Sequence, residues 1–412
     1  MTDEPIVVGI DIGTTKVCTL VARVEGDRSF RILGVGIEPS QGIRKGNIID
    51  LAAASQSIAR SVEKAQRSSG LEITSALVSL AGSHVSSVNS HGVAGVSGRV
   101  IEQDDILRAM EAAESIAIPH NREIIHVIQR SFTVDGQDGI HHPIGMHGYR
   151  LEVEVHIITA AAATVENLRQ CVQACGVEVS QFVLNPLASG EVVLTEQERQ
   201  MGAVVCDIGG GTTDLAVYID GDVYHTMVIA VGGNHLTSDI AHGLRLPISQ
   251  AEEVKKQFGV CFAAEVDESE HFPVHAFGED APVMASRKEL TEIIDARVEE
   301  IFDLVLQEIR HSGYDGLLPA GMVLTGGTSN LPKIKKLATQ VMGMPVRIAK
   351  PEDLVGLTDQ LQSPAYSTGV GLLYWAMLMN EAMTQPTHRG GQPKGGSIDW
   401  EAIKNFLKRM LP

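Results

Sequence analysis

The chain carries one local pattern twice, and that repetition limits its fold more than any other feature of the sequence. In the first copy, Ile6-Val-Val-Gly-Ile-Asp11-Ile-Gly13-Thr14-Thr15-Lys16, an apolar run suited to a buried strand meets Asp-Ile-Gly and two threonines, and a second apolar run continues to Val21. The second copy is Ala203-Val-Val-Cys-Asp207-Ile-Gly209-Gly210-Gly211-Thr212-Thr213-Asp214, with Leu215 to Ile219 resuming the sheet. An acidic turn follows each, Glu25-Gly26-Asp27 and Asp220-Gly221-Asp222. Both read as strand, glycine turn, strand. Glycines let the backbone approach closely and turn successive N–H groups into one concavity, which holds phosphate oxygens without many cationic side chains. Asp11 and Asp207 repel phosphate, so each is expected to order a hydrated divalent cation that bridges to it. For a single copy, an ordinary glycine-rich hairpin is the plainer alternative, though the less favoured one. Two copies in corresponding places predict a duplicated α/β chain that clamps a nucleotide between its halves, with the aspartates facing across the cleft.

Size and charge narrow the class. At 412 residues the chain exceeds one compact core, and 44% hydrophobic residues suffice for two or more lobes. A net charge of −18 with 4% aromatic residues excludes a nucleic-acid groove, which needs a basic face and stacking rings. An acidic body is also repelled by anionic lipid. Cys18, Cys171, Cys175, Cys206 and Cys261 lie in apolar segments without ligand spacing and read as reduced core residues of a cytosolic protein. The acidic start, Met1-Thr-Asp-Glu-Pro, leads directly into a strand and predicts no signal peptide. The longest apolar run, Gly369 to Met379, is too short to span a bilayer and reads as a buried helix.

Between the hairpins, a helix to Ser68 and a strand from Ala76 to Ala81 complete a first unit. From Ser83 to Tyr149, short polar-apolar strands and a helix over Asp104 to Ser115 read as an inserted subdomain. His141, His142, His147 and the nearby His156 raise a metal site, but the Pro- and Gly-rich loop that holds the first three fixes no ligand geometry, and solvated loop histidines are expected. Asn185-Pro-Leu-Ala starts a helix beside the second phosphate loop. Gly232-Gly233-Asn234 is a turn before a helix whose N-terminus can face the nucleotide. Glu252 and Lys255 share one helix face, as a surface ion pair, which the residues alone favour, or as contacts to a ribose or base. At Thr325-Gly326-Gly327-Thr328 a strand ends in a glycine pair that leaves room for a flat base. Arg287, Lys288 and Arg297 lie on a long amphipathic helix, Ser286 to His311, where they read as a solvated face.

These motifs, in this order, are those of the actin, Hsp70 and sugar-kinase superfamily. More narrowly, Gly9-Ile-Asp-Ile-Gly-Thr-Thr-Lys16, Asp207-Ile-Gly-Gly-Gly-Thr-Thr-Asp214, Thr237-Ser-Asp-Ile240, Thr325-Gly-Gly327, Tyr366-Ser-Thr-Gly-Val-Gly371 and the tail make the chain resemble the bacterial cell-division family FtsA from end to end. The resemblance implies an actin-like two-lobe fold: 1–82 with 150–200 as the first lobe, 83–149 as the family's inserted subdomain, 201–240 with 312–383 as the second lobe, and 241–311 as its outer part. It implies ATP and Mg²⁺ in the cleft, filaments of the chain itself, other division proteins as partners, and a place on the cytoplasmic face of the membrane at the division site. It also implies that the C-terminal peptide of the tubulin-like FtsZ docks on the outer part of the second lobe, where Arg287, Lys288 and Arg297 would suit an acidic peptide. Many superfamily ATPases carry a glutamate before the proline between the hairpins to orient the attacking water. Here that residue is Asn185, which is no useful base at neutral pH, so firm nucleotide binding with slow hydrolysis is expected. Two rivals share the superfamily, a pilus-assembly adaptor and a small-molecule kinase. The kinase needs an acceptor pocket with its own base and has no use for the tail. No substrate-binding domain follows the second half, which disfavours a chaperone.

The tail has its own logic. Residues 384–397 are Gly, Pro and polar residues with nothing to bury and read as a flexible linker. In 398–412, Trp400, Ile403, Phe406, Leu407, Met410 and Leu411 fall on one helical face, with Lys404, Lys408 and Arg409 opposite. A helix docked on the body or on a partner is the plainer reading. The linker and the basic end of an acidic chain favour an amphipathic helix lying in lipid, weak singly and avid when assembly gathers many copies.

Overall fold

A computed structural model describes residues 5–26, 29–98, 100–116, 118–279 and 281–384. The first lobe is built on a six-stranded sheet in the order Glu178–Leu184, Ser75–Leu80, Ile6–Ile12, Lys16–Val24, Phe30–Pro39, Val355–Gly356. Its first three strands in sequence form an antiparallel meander, and Ser75–Leu80 then pairs parallel to Ile6–Ile12. The crossover between them is the helix Leu51–Ser69. The Asp50 carboxylate accepts from the Ala53 N–H at its start, and Gly70 at φ 70° ends it. Ala54, Ile58, Val62 and Ala65 bury one stripe of that helix against the sheet. The approach is so close that a Cβ on Gly36 would lie 1.9 Å from the Ser61 carbonyl oxygen.

The second lobe repeats the plan in a five-stranded sheet, in the order Asp222–Ile229, Thr213–Ile219, Ala203–Ile208, Gly321–Thr325, Val346–Ile348. The helix Arg287–Ser312 packs Leu290, Ile294, Val298, Ile301, Phe302 and Val305 into a core separate from that of the first lobe. All five cysteines are free, and four are buried.

Two boundaries differ from expectation. The stretch assigned to the second lobe after residue 312 leaves it: Val355–Gly356 pairs with Phe30–Pro39, and the helix Ser367–Thr384 returns to the first lobe. The apolar run within that helix fills the first-lobe core, with Gly371 against Ala188 and Gly9 against Leu372. Separately, the strand Arg150–Ala161 belongs to the inserted unit. It pairs with Val85–Gly95 and Arg122–Val134 in a four-stranded sheet that Gln137–Ile140 completes. Strict alternation explains this: Leu151, Val153, Val155 and Ile157 join the core that the helix Gln103–Glu114 covers, while Glu152, Glu154 and His156 take the opposite face.

That opposite face rests on the second lobe, which corrects the reading of His156. It is no loop histidine but a buried one, its ring nitrogens 2.7 Å from Asn89 Oδ1 and 2.9 Å from Thr226 Oγ1. Beside it the Ser87 hydroxyl donates to the Thr226 carbonyl, and the Arg130 guanidinium lies 3.7 Å from the centre of the Tyr224 ring. Burial pushes His156 down to about 3, so this seam is held by neutral imidazole.

Candidate functional site

The two glycine hairpins meet tip to tip between the lobes. In the first, Asp11 is paired with Cys18 and the Gly13 N–H donates to the Lys16 carbonyl at 3.0 Å. In the second, Asp207 is paired with Asp214 and the Gly209 N–H donates to the Thr212 carbonyl at 2.9 Å. Directly opposed residues of a ladder share one face, so Asp207 and Asp214 point the same way. The tips touch so closely that no side chain fits: a Cβ on Gly210 would lie 2.0 Å from Thr15 Oγ1, and one on Gly211 would lie 2.3 Å from Thr14 Oγ1. Behind the second tip, the Gly233 N–H donates to the Gly209 carbonyl at 2.9 Å and the Asn234 N–H to the Gly210 carbonyl at 2.7 Å. The Thr328 hydroxyl also donates to the Gly209 carbonyl, at 3.0 Å. Three expected turns thus lock together around one loop.

They enclose a cavity of about 480 Å³ lined by Asp11, Gly13, Thr14, Thr15, Lys16, Asp207, Gly209, Gly210, Gly211, Thr212, Gly233, Asn234, Glu252, Lys255, Gly326, Gly327 and Thr328. Two expected residues stand behind this wall. Thr213 is fully buried and its hydroxyl donates to the Val231 carbonyl, and Gly232 sits where a Cβ would be 2.7 Å from the Gly209 carbonyl oxygen. Glu252 and Lys255 are more than a surface pair. Lys255 Nζ lies 2.7 Å from Glu252 Oε2 and donates to the Gly233 carbonyl and to Thr237 Oγ1. What turns that helix face inward is the Gly232-Gly233 turn, a contact distant in sequence.

Three carboxylates converge on the cleft. Asp11 accepts from the Ser79 hydroxyl at 3.0 Å, and burial raises its pKa while Lys16 opposes the rise. Asp207 accepts from the Thr368 hydroxyl at 2.8 Å, yet burial lifts it to about 6, aided by the Asp11 charge. Asp214 accepts from the Thr212 hydroxyl at 3.0 Å, and burial with the neighbouring Asp207 drives its pKa well up. Acidic groups held this way lack positive charge. Lys16 does not supply it fully, since its ammonium donates to the Ala365 carbonyl and lies 4.6 Å from the centre of the Tyr366 ring.

Sequence reasoning did not assign Asp214, Lys256, Asn330, Tyr366 or Thr368 to the cavity, although all line it. For Asp214 the signal was available, since strand pairing fixes its face. Thr368 comes from the returning C-terminal helix and Tyr366 from the short turn Pro364–Tyr366 just before it; their motif marks the family but does not say that it reaches the cleft. The basic trio lies elsewhere, and each member is paired within the chain: Arg287 with Glu270, Lys288 with Glu268, and Arg297 with Asp239 at 2.6 Å and Glu300 at 2.5 Å. Trp400, Ile403, Phe406, Leu407, Lys408, Met410 and Leu411 lie outside the described residues. Among the described residues no helix is long and apolar enough to cross a membrane.

Comparison with known proteins agrees with this geometry. Residues 204–371 match the family described as Cell division protein FtsA, and residues 82–159 match the SHS2 domain inserted in FTSA. Over 408 residues the chain is 40% identical to the cell division protein FtsA of Pseudomonas aeruginosa, covering 98% of this chain and 97% of that one. Among solved structures it resembles a PilM-PilN type IV pilus biogenesis complex, with a TM-score of 0.65 at 17% identity over 89% of this chain and 97% of that one. It also resembles MreB5 of Spiroplasma citri bound to ADP, with a TM-score of 0.56 at 16% identity over 93% of this chain and 100% of that one. At such identities the two likenesses speak for the actin-like fold alone.

Proposed function

The chain belongs to the FtsA family of cell division proteins, and from that premise we propose that it is an ATP-binding, actin-like adaptor that polymerises at the cytoplasmic membrane and tethers FtsZ filaments to it. The observation that carries the reading is the cleft. Its glycines let the two hairpin tips and the turns behind them close together around the cavity, and its carboxylates, short of positive charge, suit a cation that phosphates would share. Gly13 to Lys16 and Gly209 to Thr212 would hold the phosphates, and Asp11 and Asp207 would order Mg²⁺ through water. Glu252, Lys255 and Gly326 to Thr328 would take the ribose and base. The bound cation would neutralise phosphate charge. These residues orient and shield the phosphates, whether or not hydrolysis follows.

Support for the adaptor role comes from the family and from the sequence of residues 384–412. Docking of the acidic FtsZ peptide on Arg287, Lys288 and Arg297 requires it to displace intrachain carboxylates, so its affinity is expected to be modest and salt-sensitive. The test is co-flotation of FtsZ with anionic liposomes, with and without this protein and Mg-ATP. FtsZ left in the soluble fraction under all conditions refutes the tether, and no measurable Mg-ATP binding by calorimetry refutes the nucleotide site. A pilus-assembly adaptor of the same superfamily is the second reading, told apart by which partner peptide binds.

A further inference from the structure

The small hairpin of Ile43–Arg44 with Asn47–Ile48 turns through Lys45 at φ 50° and Gly46 at φ 76°. A two-residue turn of this kind needs left-handed backbone at both positions, which Asn or Gly adopts readily and lysine does not. A side chain kept against its backbone preference points to a function. The tip is also pressed into place: Gly46 lines the cavity, and a Cβ on it would lie 2.2 Å from the Ala81 carbonyl oxygen. Ala81 lines the cavity too, just past the strand whose Ser79 hydroxyl donates to Asp11. On the second-lobe side stands His235, next to Asn234, whose N–H donates to the Gly210 carbonyl at the other hairpin tip. Burial first, and then the Lys45 charge, hold the His235 pKa below its usual value, so Lys45 reaches toward that lobe. Lys45 thus stands at the first-lobe wall beside Asp11, whereas Glu252, Lys255 and Gly326 to Thr328, assigned to ribose and base, belong to the second lobe.

Positive charge in the cleft is otherwise committed. Three lysines line the cavity, and all are held: Lys16 by the Ala365 carbonyl, Lys255 and Lys256 by Glu252. Lys45 is part-buried, and among the described residues no hydrogen bond or ion pair holds its ammonium. Its flexible four-carbon stem can carry that point charge along the Gly46 wall into the cavity. We infer that Lys45 tells a nucleoside triphosphate from a diphosphate: its ammonium turns in beside Gly46 and pairs with the terminal phosphate, the group a diphosphate lacks. This rests on the nucleotide reading of the cleft and adds to it which nucleotide the cleft retains. The contact is charge-assisted and partly shielded from water, so it outweighs an exposed ion pair.

The test measures Mg-ATP and Mg-ADP affinity by calorimetry for the full chain, Lys45→Asn and Lys45→Arg. Asparagine suits φ 50°, so Lys45→Asn is expected to melt no lower than the parent without nucleotide, and lost affinity is then not lost fold. Lys45→Asn is expected to weaken Mg-ATP binding roughly tenfold or more while Mg-ADP stays within about twofold. Lys45→Arg, which keeps the charge, is expected to retain most of the preference for Mg-ATP. No binding of either nucleotide by the parent defeats the nucleotide reading and this inference with it. Parent binding that falls equally for both nucleotides in Lys45→Asn, or for neither, overturns the inference alone, as does a Lys45→Arg that discriminates no better than Lys45→Asn.

Discussion

Gly211→Ala isolates the contact between the hairpin tips. A Cβ there would lie 2.3 Å from Thr14 Oγ1, 2.9 Å from Thr14 Cβ and 3.0 Å from Thr14 Cγ2. Rotating the threonine gives no relief, because its own Cβ is among the clashing atoms. The backbone at Gly211 is not left-handed, so alanine itself is unstrained and the whole effect falls on the gap between lobes. Real Cβ atoms stay at least 3.0 Å from such neighbours, so the tips must part by about 0.7 Å. A shift of that size weakens or breaks one charge-assisted bond from the cradle to phosphate, worth about 1.5–3 kcal/mol. At about 1.4 kcal/mol per tenfold, Mg-ATP affinity is expected to fall roughly 10- to 100-fold by calorimetry. The double variant with Thr14→Gly restores the room and is expected to recover most of the loss relative to Thr14→Gly alone. Gly70→Ala is the control: at φ 70° with nothing within 4 Å, it costs about 1 kcal/mol of stability and leaves affinity unchanged. Unchanged affinity in Gly211→Ala, or no recovery in the double variant, would refute the idea that the tips meet as the cradle.

Asp222→Asn bears on the seam between the inserted unit and the second lobe. Burial lifts Asp222 to about 7, with Arg130 opposing the rise. A carboxyl raised in the folded state binds its proton more tightly there, so the parent loses stability as pH rises from about 4 to about 7. Removing the charge should flatten that slope and make the variant relatively more stable near pH 8 by on the order of 2–4 kcal/mol, read from denaturant midpoints at both ends of the range; a parallel slope in both proteins counts against it. Arg297→Ala, which breaks the pairs with Asp239 and Glu300, should cost at most about 1 kcal/mol of stability because the side chains are part-exposed, yet weaken binding of the FtsZ peptide in fluorescence anisotropy. Equal peptide affinity would remove this arginine from the docking surface. Phe406→Glu should release the protein from anionic liposomes in flotation, and continued flotation would end the proposal that residues 398–412 hold the membrane.

What was legible in the sequence is what is local. Each Asp-Ile-Gly hairpin carries its turn and its ladder within a few residues, and the structure brings the two tips together. The helix Leu51–Ser69 announces itself by its Asp50 cap and its closing Gly70. Errors gathered where a segment's partner lies far along the chain. The strand Arg150–Ala161 has the alternation of any half-buried strand, and nothing in it says that its ladder mates are Val85–Gly95 and Arg122–Val134. His156 groups in sequence with the loop histidines His141, His142 and His147, yet it stands on a strand and its neighbours in space are Asn89 and Thr226.

The Ser367–Thr384 helix shows why this matters for the site as well as the fold. Its apolar run was correctly legible as buried, but burial does not say where. By packing against Ala188 and Leu20 of the first lobe, the helix carries Thr368 to Asp207 of the second. Asp207 is therefore held by both lobes at once: by its own strand on one side and by a hydroxyl from a first-lobe helix on the other. The Thr325 hydroxyl makes the same crossing to Ser367 at 2.7 Å. A clamp whose two jaws were joined only by ligand would be free to gape when empty. Here buried hydroxyl contacts from one helix fix the second aspartate relative to the first before anything binds, so less ordering free energy is spent when the cleft fills.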